Sequence, residues 1–133
     1  MLYMFLLHWD DAKPPADMDA VMSAHFAVAG KARERGAYIC SEAIGGRANA
    51  TTVRVREGKA LTSDGPYAET KEVLGGFYIL DCKDLDEALE YAAQIPDAAS
   101  GGVEVRPVMD VPGWDYGATA RRERQPMGIP AAT

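Results

Sequence analysis

The segment Val73-Leu-Gly-Gly-Phe-Tyr-Ile-Leu-Asp81 decides the fold. It predicts a β-strand that is apolar on both faces, because Phe77 and Ile79 alternate with Tyr78 and Leu80. The pair Gly75-Gly76 inside the strand predicts a bulge or a close backbone approach. A strand of this kind is covered on both sides, so it predicts the centre of a sheet.

The segments on either side of this strand predict a mixed α+β order. Asp17 and Asp84 precede apolar stretches of helical spacing and are suited to act as N-caps. We predict strands over residues 2–9, 37–43 and 103–108, a hairpin over 51–62, and helices over 17–35 and 85–95. This βαββαβ order with an inserted β-hairpin is the ferredoxin-like pattern. It gives one domain over residues 1–108 and a partly ordered tail over 109–133.

The second face of the predicted sheet needs a cover that the helices do not provide. Two helices cover one face only, whereas the first strand, Leu2 to Trp9, is also apolar on both faces. A second copy packed sheet to sheet would cover the remaining face, so we predict a homodimer. The alternative is that the tail, which carries Trp114 and Tyr116, folds back across the sheet.

Charge and composition exclude several classes of protein. The 133 residues are 47% hydrophobic and 26% charged, as is usual for a globular domain. The net charge of -6 argues against a nucleic-acid partner, because phosphate binding requires a basic surface. The arginines at positions 121, 122 and 124 are too few to reverse that expectation.

The apolar start of the chain and its two cysteines bear on the expected cellular location of the protein. The opening run reaches Asp10 almost at once and lacks a charged leader region, so it predicts neither a signal peptide nor a membrane span. Cys40 and Cys82 fall within predicted strands without CxxC spacing. We interpret both as buried thiols, which fits a cytoplasmic protein.

The most distinctive loop is Asp64-Gly-Pro-Tyr-Ala-Glu-Thr-Lys-Glu72. Asp-Gly-Pro is a strong turn signal, and a polar loop before a buried strand is a common place for a site. Together with Leu74-Gly-Gly-Phe-Tyr78, this run resembles the DGPFAETKE (DGPF-domain) proteins of the YCII-related superfamily. Tyr67 stands where that family usually has Phe. The resemblance extends over roughly residues 1–108.

The resemblance implies a dimeric α/β-barrel and little about activity. Members are largely uncharacterised and are often found beside extracytoplasmic-function sigma factors, while the wider superfamily includes muconolactone-isomerase-like enzymes. YCII-like relatives are thought to use a His on the first helix and an Asp in an Asp-Pro pair after the second helix. His25 falls on the His position. The Asp position corresponds to Ile95, before Pro96, so the dyad is incomplete here and Asp64 is a candidate replacement.

Each candidate side chain has a second interpretation. His25 is a general acid or base, or a core histidine bonded to a carbonyl. Asp64 orients His25, or caps its own turn. The remaining substrate-binding candidates are Tyr67, Glu69, Lys71 and Glu42. Glu69 and Lys71 equally suit an exposed ion pair, and Glu42 equally suits a cross-strand pair with Arg54.

Metal and cofactor signatures are missing from the sequence. His8, Asp10 and Asp11 are close in sequence, but residues at strand spacing do not all face one way. The sequence contains no phosphate-binding glycine loop, nucleophile elbow or zinc motif. We therefore expect no cofactor and no metal.

Two functions of different class remain open, and the sequence does not decide whether the protein is an enzyme. The first is a cofactor-free lyase or isomerase acting on a small molecule, in which His25 moves a proton with help from Asp64. Tyr67 and Lys71 would then stabilise an enolate-like intermediate. The alternative is a ligand-sensing regulatory module with a sigma-factor link. A third interpretation gives the loop over residues 64–72 a purely structural role in the dimer.

Overall fold

The computed structural model describes residues 1–128, which form two layers. Every predicted strand and both predicted helices are present, with ends shifted by at most two residues. In chain order the elements are β1 (Leu2–Trp9), α1 (Met18–Glu34), β2 (Tyr38–Ala43), β3 (Thr51–Arg56), β4 (Lys59–Asp64), β5 (Val73–Asp81), α2 (Leu85–Gln94), α3 (Asp97–Ser100), β6 (Gly102–Pro107), β7 (Met109–Asp110) and β8 (Gln125–Pro126).

The main sheet is antiparallel, with the strand order β2-β5-β1-β6. Its two central strands are β1 and β5, the two segments that the sequence marks as apolar on both faces. Phe5 of β1 lies opposite Tyr78 of β5 and Val105 of β6, which fixes these three residues on one face. The architecture is thus α+β and consistent with a ferredoxin-like fold.

The core lies between this face and the two long helices. β1 and β5 contribute large side chains, and the helices contribute mainly alanines, which allow a close approach to the sheet. Phe5 and Leu80 are 0% exposed. The core residues are Tyr3, Phe5, Leu7, Val28, Ala29, Ala32, Ala37, Tyr78, Leu80, Cys82, Ala88, Tyr91, Ala92 and Ile95.

Local sequence signals set the ends of the helices. The Asp17 carboxylate accepts a hydrogen bond from Ala20 N at 3.0 Å, and the Asp84 carboxylate accepts one from Glu87 N at 2.9 Å. Both predicted N-caps are therefore confirmed. Helix α1 is followed by Gly36, whose φ of 70° is favourable for glycine and lets the chain turn into β2.

Only the second half of the apolar stripe on α1 reaches the core. Val28 and Ala29 are buried, but Met18 is 46% exposed and Met22 is 39% exposed. Helical spacing in the sequence predicts an apolar stripe on α1 that includes Met18, Met22 and His25, but the first half of that stripe does not reach the core. There the stripe borders a cavity instead of close-packed side chains.

The glycine pair in β5 produces both predicted features. The pairing of β1 with β5 shifts between Leu7 and His8, so that Gly75 is the extra residue of a bulge. A Cβ atom at Gly75 would overlap with the indole of Trp9. A Cβ atom at Gly76 would lie 2.9 Å from the carbonyl oxygen of Glu42.

The second face of the sheet is only partly covered within one chain. Its central side chains are half-buried: Met4, Leu6, Phe77 and Ile79. The tail returns to one end of this face, where Leu2 N donates to the carbonyl oxygen of Glu123 at 2.8 Å and Leu2 is 2% exposed. Arg122 also binds Asp81 at 2.9 Å. The last part of the predicted tail, residues 129–133, lies outside the described residues.

The hairpin of β3 and β4 forms a separate two-stranded sheet. Its tight turn contains Glu57 and Gly58, with φ values of 51° and 76°, as this kind of turn requires. Val53 and Val55 share one face of the hairpin, and each is 60% exposed. Within residues 1–128, no helix has the length and apolar character needed to cross a membrane.

Candidate functional site

A cavity of about 900 Å³ lies between α1 and the helix-covered face of the sheet. Such a volume accommodates a small organic molecule. The sheet contributes Trp9, Gly75 and Tyr78, and α3 begins at the cavity with Asp97. Helix α1 contributes Met18, Val21, Met22, His25, Phe26 and Ala29.

His25 connects two other side chains of this wall. Its Nδ1 atom lies 2.7 Å from the hydroxyl oxygen of Tyr78, and its Nε2 atom lies 3.2 Å from Oδ1 of Asp97. The rings of His25 and Tyr78 are nearly parallel, with centroids 5.9 Å apart. The His25 and Asp97 side chains are 18% and 16% exposed. The imidazole therefore has a partner at each nitrogen and remains accessible from the cavity.

The ionisation state of Tyr78 determines whether its hydroxyl can donate to His25. Burial, together with the nearby Asp97 carboxylate, raises the pKa of Tyr78 to about 12. The phenol is therefore protonated at neutral pH and can donate to Nδ1 of His25 when that nitrogen carries no proton. In this tautomer the ring proton lies on Nε2 and faces the carboxylate of Asp97.

The contact between His25 and Asp97 is close but is not a well-aligned hydrogen bond. Nε2 and Oδ1 are 3.2 Å apart, a distance at which the two groups form an ion pair when the imidazole is protonated. Oδ1 of Asp97 is nevertheless buried without a hydrogen-bond partner among residues 1–128, so the N–H direction of the ring is unfavourable. A small rotation of the ring would align its N–H with the carboxylate, and once the imidazole gains a second proton the attraction between the two charges depends only weakly on angle.

Asp97 corrects the interpretation of the second-helix region. The expectation that the dyad is incomplete is wrong, because His25 has a carboxylate partner after the second helix. Ile95 is 1% exposed and belongs to the core. The chain turns at Pro96 into α3, and this turn places Asp97, after the proline instead of before it, beside His25.

The predicted site residues of the distinctive loop divide into two groups. Lys71 lines the cavity, whereas Asp64, Tyr67 and Glu69 are absent from its wall. Asp64 ends β4 and is exposed. Tyr67 is 80% exposed and stacks under the guanidinium of Arg54, whose carbon lies 5.2 Å from the ring centre. Within the described residues, His25 therefore contacts Asp97 and not Asp64.

Glu42 lies beside the cavity, but its side chain belongs to the opposite face of the sheet. It is opposite Phe77 in the register of β2 and β5, and Phe77 alternates with the core residue Tyr78. The suggested cross-strand pair of Glu42 with Arg54 is wrong, because β2 and β3 belong to different sheets.

Arg47 holds three loops together at the rim of the cavity. Its backbone N and its Nε atom donate to the carboxylate of Asp11, both at 2.7 Å. Its two Nη atoms donate to the carbonyl oxygens of Thr70 and Lys71, both at 2.8 Å. The bonds to the carboxylate lower the pKa of Asp11. The arrangement fixes the backbone that presents Lys71 to the cavity, and we call it the Arg47 clamp.

The residues considered for metal binding are engaged elsewhere. His8 Nε2 lies 3.4 Å from Oε1 of Glu104 on the opposite face of the sheet, and Asp11 belongs to the Arg47 clamp. Across residues 1–128, no three His, Cys, Asp or Glu side chains are grouped as metal ligands require.

Sequence reasoning missed Tyr78 and Asp97, the two partners of His25. The alternation in β5 predicts Tyr78 only as an apolar strand residue, and the residue is indeed 4% exposed. A buried phenol usually has a hydrogen-bond partner, and this rule could have pointed to a polar group nearby. Asp97 carries a weaker signal, since it is one of several acidic residues near a helix end.

Comparison with known proteins agrees with the fold. The family model described as the YCII-related domain matches residues 1–112. An uncharacterized protein of Rhizobium meliloti (strain 1021) is 49% identical over 61 residues, which are 44% of this chain and 49% of that protein. The chain thus aligns with about half the length of this relative. Because the family match covers most of the sequence, the chain belongs to the YCII-related domain family.

Proposed function

We propose that the protein binds a small organic molecule in the cavity and moves a proton on it, as a lyase or isomerase does. The observation that carries the proposal is the group Asp97–His25–Tyr78, in which one imidazole has a carboxylate at 3.2 Å and a protonated phenol at 2.7 Å. Imidazole is the side chain most often used for proton transfer near neutral pH.

Each side chain of the group has a distinct part in this reaction. Nδ1 of His25 takes a proton from a carbon acid, and the electron pair stays on the substrate as an enolate. As negative charge develops on the substrate oxygen, the Tyr78 hydroxyl turns its hydrogen bond from Nδ1 of His25 to that oxygen and stabilises it. Asp97 stabilises the imidazolium and holds the ring in place. In an isomerase the imidazolium then returns the proton to another carbon. In a lyase the enolate electron pair forms a double bond as the leaving group departs with the electrons of its own bond, and the imidazolium gives its proton to that leaving group.

The test measures hydrogen exchange, which can be followed without identifying the product. Lactones and other carbon acids are incubated with the protein in D₂O, and loss of the acidic C–H signal is followed by NMR. We expect His25→Gln to lower the exchange rate by about 100-fold or more, the usual contribution of a general base. The matched control is His8→Gln, because His8 is the other histidine and lies on the opposite face of the sheet.

The outcome separates catalysis from binding alone. Compounds that bind in the cavity but exchange no faster than in buffer would overturn the enzymatic proposal and favour a ligand-sensing module. Equal loss of exchange in the His25 and His8 variants would also contradict it, since only His25 lies at the cavity.

We also propose that two copies pair through the second face of the sheet, as a dimeric α/β-barrel does. Two observations support this pairing. The half-buried apolar centre of that face contains Met4 and Phe77, and the hairpin carries Val53 and Val55, each 60% exposed. A lone two-stranded hairpin is marginally stable in water, so a partner surface would stabilise it.

Sedimentation of the protein at decreasing concentration tests the pairing. We expect twice the mass of one chain at micromolar concentration, and a monomer when Val53 and Val55 are both replaced by Asp. Replacement of Thr52, on the other face of β3, by Asp is the control. A monomeric wild-type protein over this range would refute the pairing.

A further inference from the structure

Trp9 contributes an aromatic side chain to the cavity lining, and the proposed proton transfer gives it no part. It ends β1 opposite Val73, and it shares the helix-covered face of the sheet with Leu7. Both Trp9 and Gly75 line the cavity. The indole lies so close to Gly75 that a Cβ atom there would overlap with Nε1 and Cδ1.

The bulge in β5 makes this arrangement possible. Gly75 is the unpaired residue of the bulge, so its position is not required for the ladder between β1 and β5. A larger side chain would have to displace the indole, which is rigid and cannot fold aside as a long aliphatic chain can. Gly75 therefore determines where the indole lies in the cavity.

Helix α1 supplies an apolar surface to the same cavity. Met18, Met22 and Phe26 follow one another at four-residue spacing, so they form one stripe of the helix. They are 46%, 39% and 66% exposed, although each lines the cavity. Thioethers and aromatic rings are favourable neighbours for another aromatic ring.

From these observations we infer that the ligand contains a flat, unsaturated ring that stacks on the Trp9 indole, and that Gly75 is a specificity-determining residue. The inference rests on the proposed function in one respect: the cavity is taken as the ligand site. A single sign of charge does not define the ligand, because Lys71 and Glu72 both line the cavity. Shape and aromatic character are the recognised properties.

Phenol and cyclohexanol test this preference, because they match in size and in their hydroxyl group. The readout is the indole N–H signal of each tryptophan in ¹⁵N-labelled protein. Trp114, which is 68% exposed and does not line the cavity, is an internal control. We expect phenol to shift the Trp9 signal saturably and to bind about 3- to 10-fold more tightly than cyclohexanol, as an aromatic pair implies. Equal affinity, or equal shifts at both tryptophans, would overturn the inference.

Two substitutions at the wall complete the test. Gly75→Ala should displace the indole, move the Trp9 signal in the ligand-free protein and weaken phenol binding by about 10-fold, since an aromatic contact of that strength is lost. Gly102→Ala is the control, since a Cβ atom there meets no other atom within 4 Å. If Gly75→Ala does not fold, Trp9→Leu serves instead and should remove the preference for phenol. A preference that survives in Trp9→Leu would refute the inference.

Two separate readouts distinguish this inference from the proposed function. Hydrogen exchange reports on the imidazole of His25, whereas the Trp9 indole signal reports on the contact with the ring of the ligand. Hydrogen exchange that depends on His25 without any phenol preference would refute the ring specificity alone. A phenol preference without hydrogen exchange would refute the catalysis alone.

Discussion

Replacing Tyr78 by Phe tests whether the hydroxyl group, and not only the ring, holds the site together. The residue is 4% exposed, and a phenylalanine ring fills the same space, so the change removes one oxygen atom without a large cavity. What is lost is the 2.7 Å hydrogen bond to Nδ1 of His25. A typical hydrogen bond contributes roughly 0.5–1.5 kcal/mol, and a buried group left without a partner costs roughly 1–3 kcal/mol.

The exposure of His25 decides where in this range the effect falls. Its side chain is 18% exposed, so water can partly replace the lost hydroxyl. We therefore expect Tyr78→Phe to lower the free energy of unfolding by about 1–2 kcal/mol. Urea denaturation at pH 7 measures this change, provided that the dependence on urea is unchanged between variants.

Tyr91 provides a matched control, for which the same substitution should not lower the free energy of unfolding. It is 1% exposed, and its hydroxyl is buried with no hydrogen-bond partner among the described residues. Tyr91→Phe should therefore leave the free energy of unfolding unchanged or raise it by about 1 kcal/mol. Equal losses in the two variants would refute the reasoning. So would a wild-type imidazole that carries its proton on Nδ1 at pH 8, as detected by ¹⁵N NMR.

Three further predictions concern other parts of the molecule. Arg47→Ala should accelerate amide hydrogen exchange of residues 70–72 on the order of 10-fold, because the clamp is lost; unchanged exchange would contradict that role. Burial would raise the pKa of Asp81, but hydrogen bonds from the N-terminal ammonium and Arg122 lower it overall. Its stabilisation is then present above pH 3.8 and lost as the pH falls below that value. Asp81→Asn should thus cost roughly 1–3 kcal/mol at pH 7, and thermal melts at lower pH should show this difference shrinking; a constant difference would exclude the linkage. Burial raises the pKa of Cys82 to about 12 and that of Cys40 in the same direction. Native protein at pH 8 should therefore react with iodoacetamide only slowly at Cys40 and, at Cys82, only after unfolding; rapid modification of Cys82 would be the contrary result.

The fold could be predicted from the sequence because its strongest signals are strands that are apolar on both faces and helix caps that involve only neighbouring residues. The apolar alternation of Leu2–Trp9 and Val73–Asp81 identified both central strands with the bounds that the structure has. Asp17 and Asp84 identified the helix starts, since a capping bond involves only neighbouring residues. Membership of the YCII-related family is shown, whereas the DGPF assignment and the dimer stay predictions.

The site was less accessible because it depends on distances that no local pattern encodes. The helical period identified Met18 and Met22 as part of an apolar face, but a period does not say whether that face meets a core or a cavity. His25 was identified as a candidate from the same stripe. Its partner Asp97 approaches it only because the chain turns at Pro96, and this turn joins two elements that are far apart in sequence.

The Arg47 clamp has a consequence for how the cavity rim can change. The two Nη atoms of Arg47 donate to main-chain oxygens, those of Thr70 and Lys71. These bonds do not depend on which side chains the two residues carry. An exchange at position 71 can therefore alter charge or bulk at the entrance while the peptide beneath it keeps its course. Position 71 is therefore suited to sequence variation, whether in evolution or in laboratory selection, because a different ligand can be accommodated without a change in the backbone.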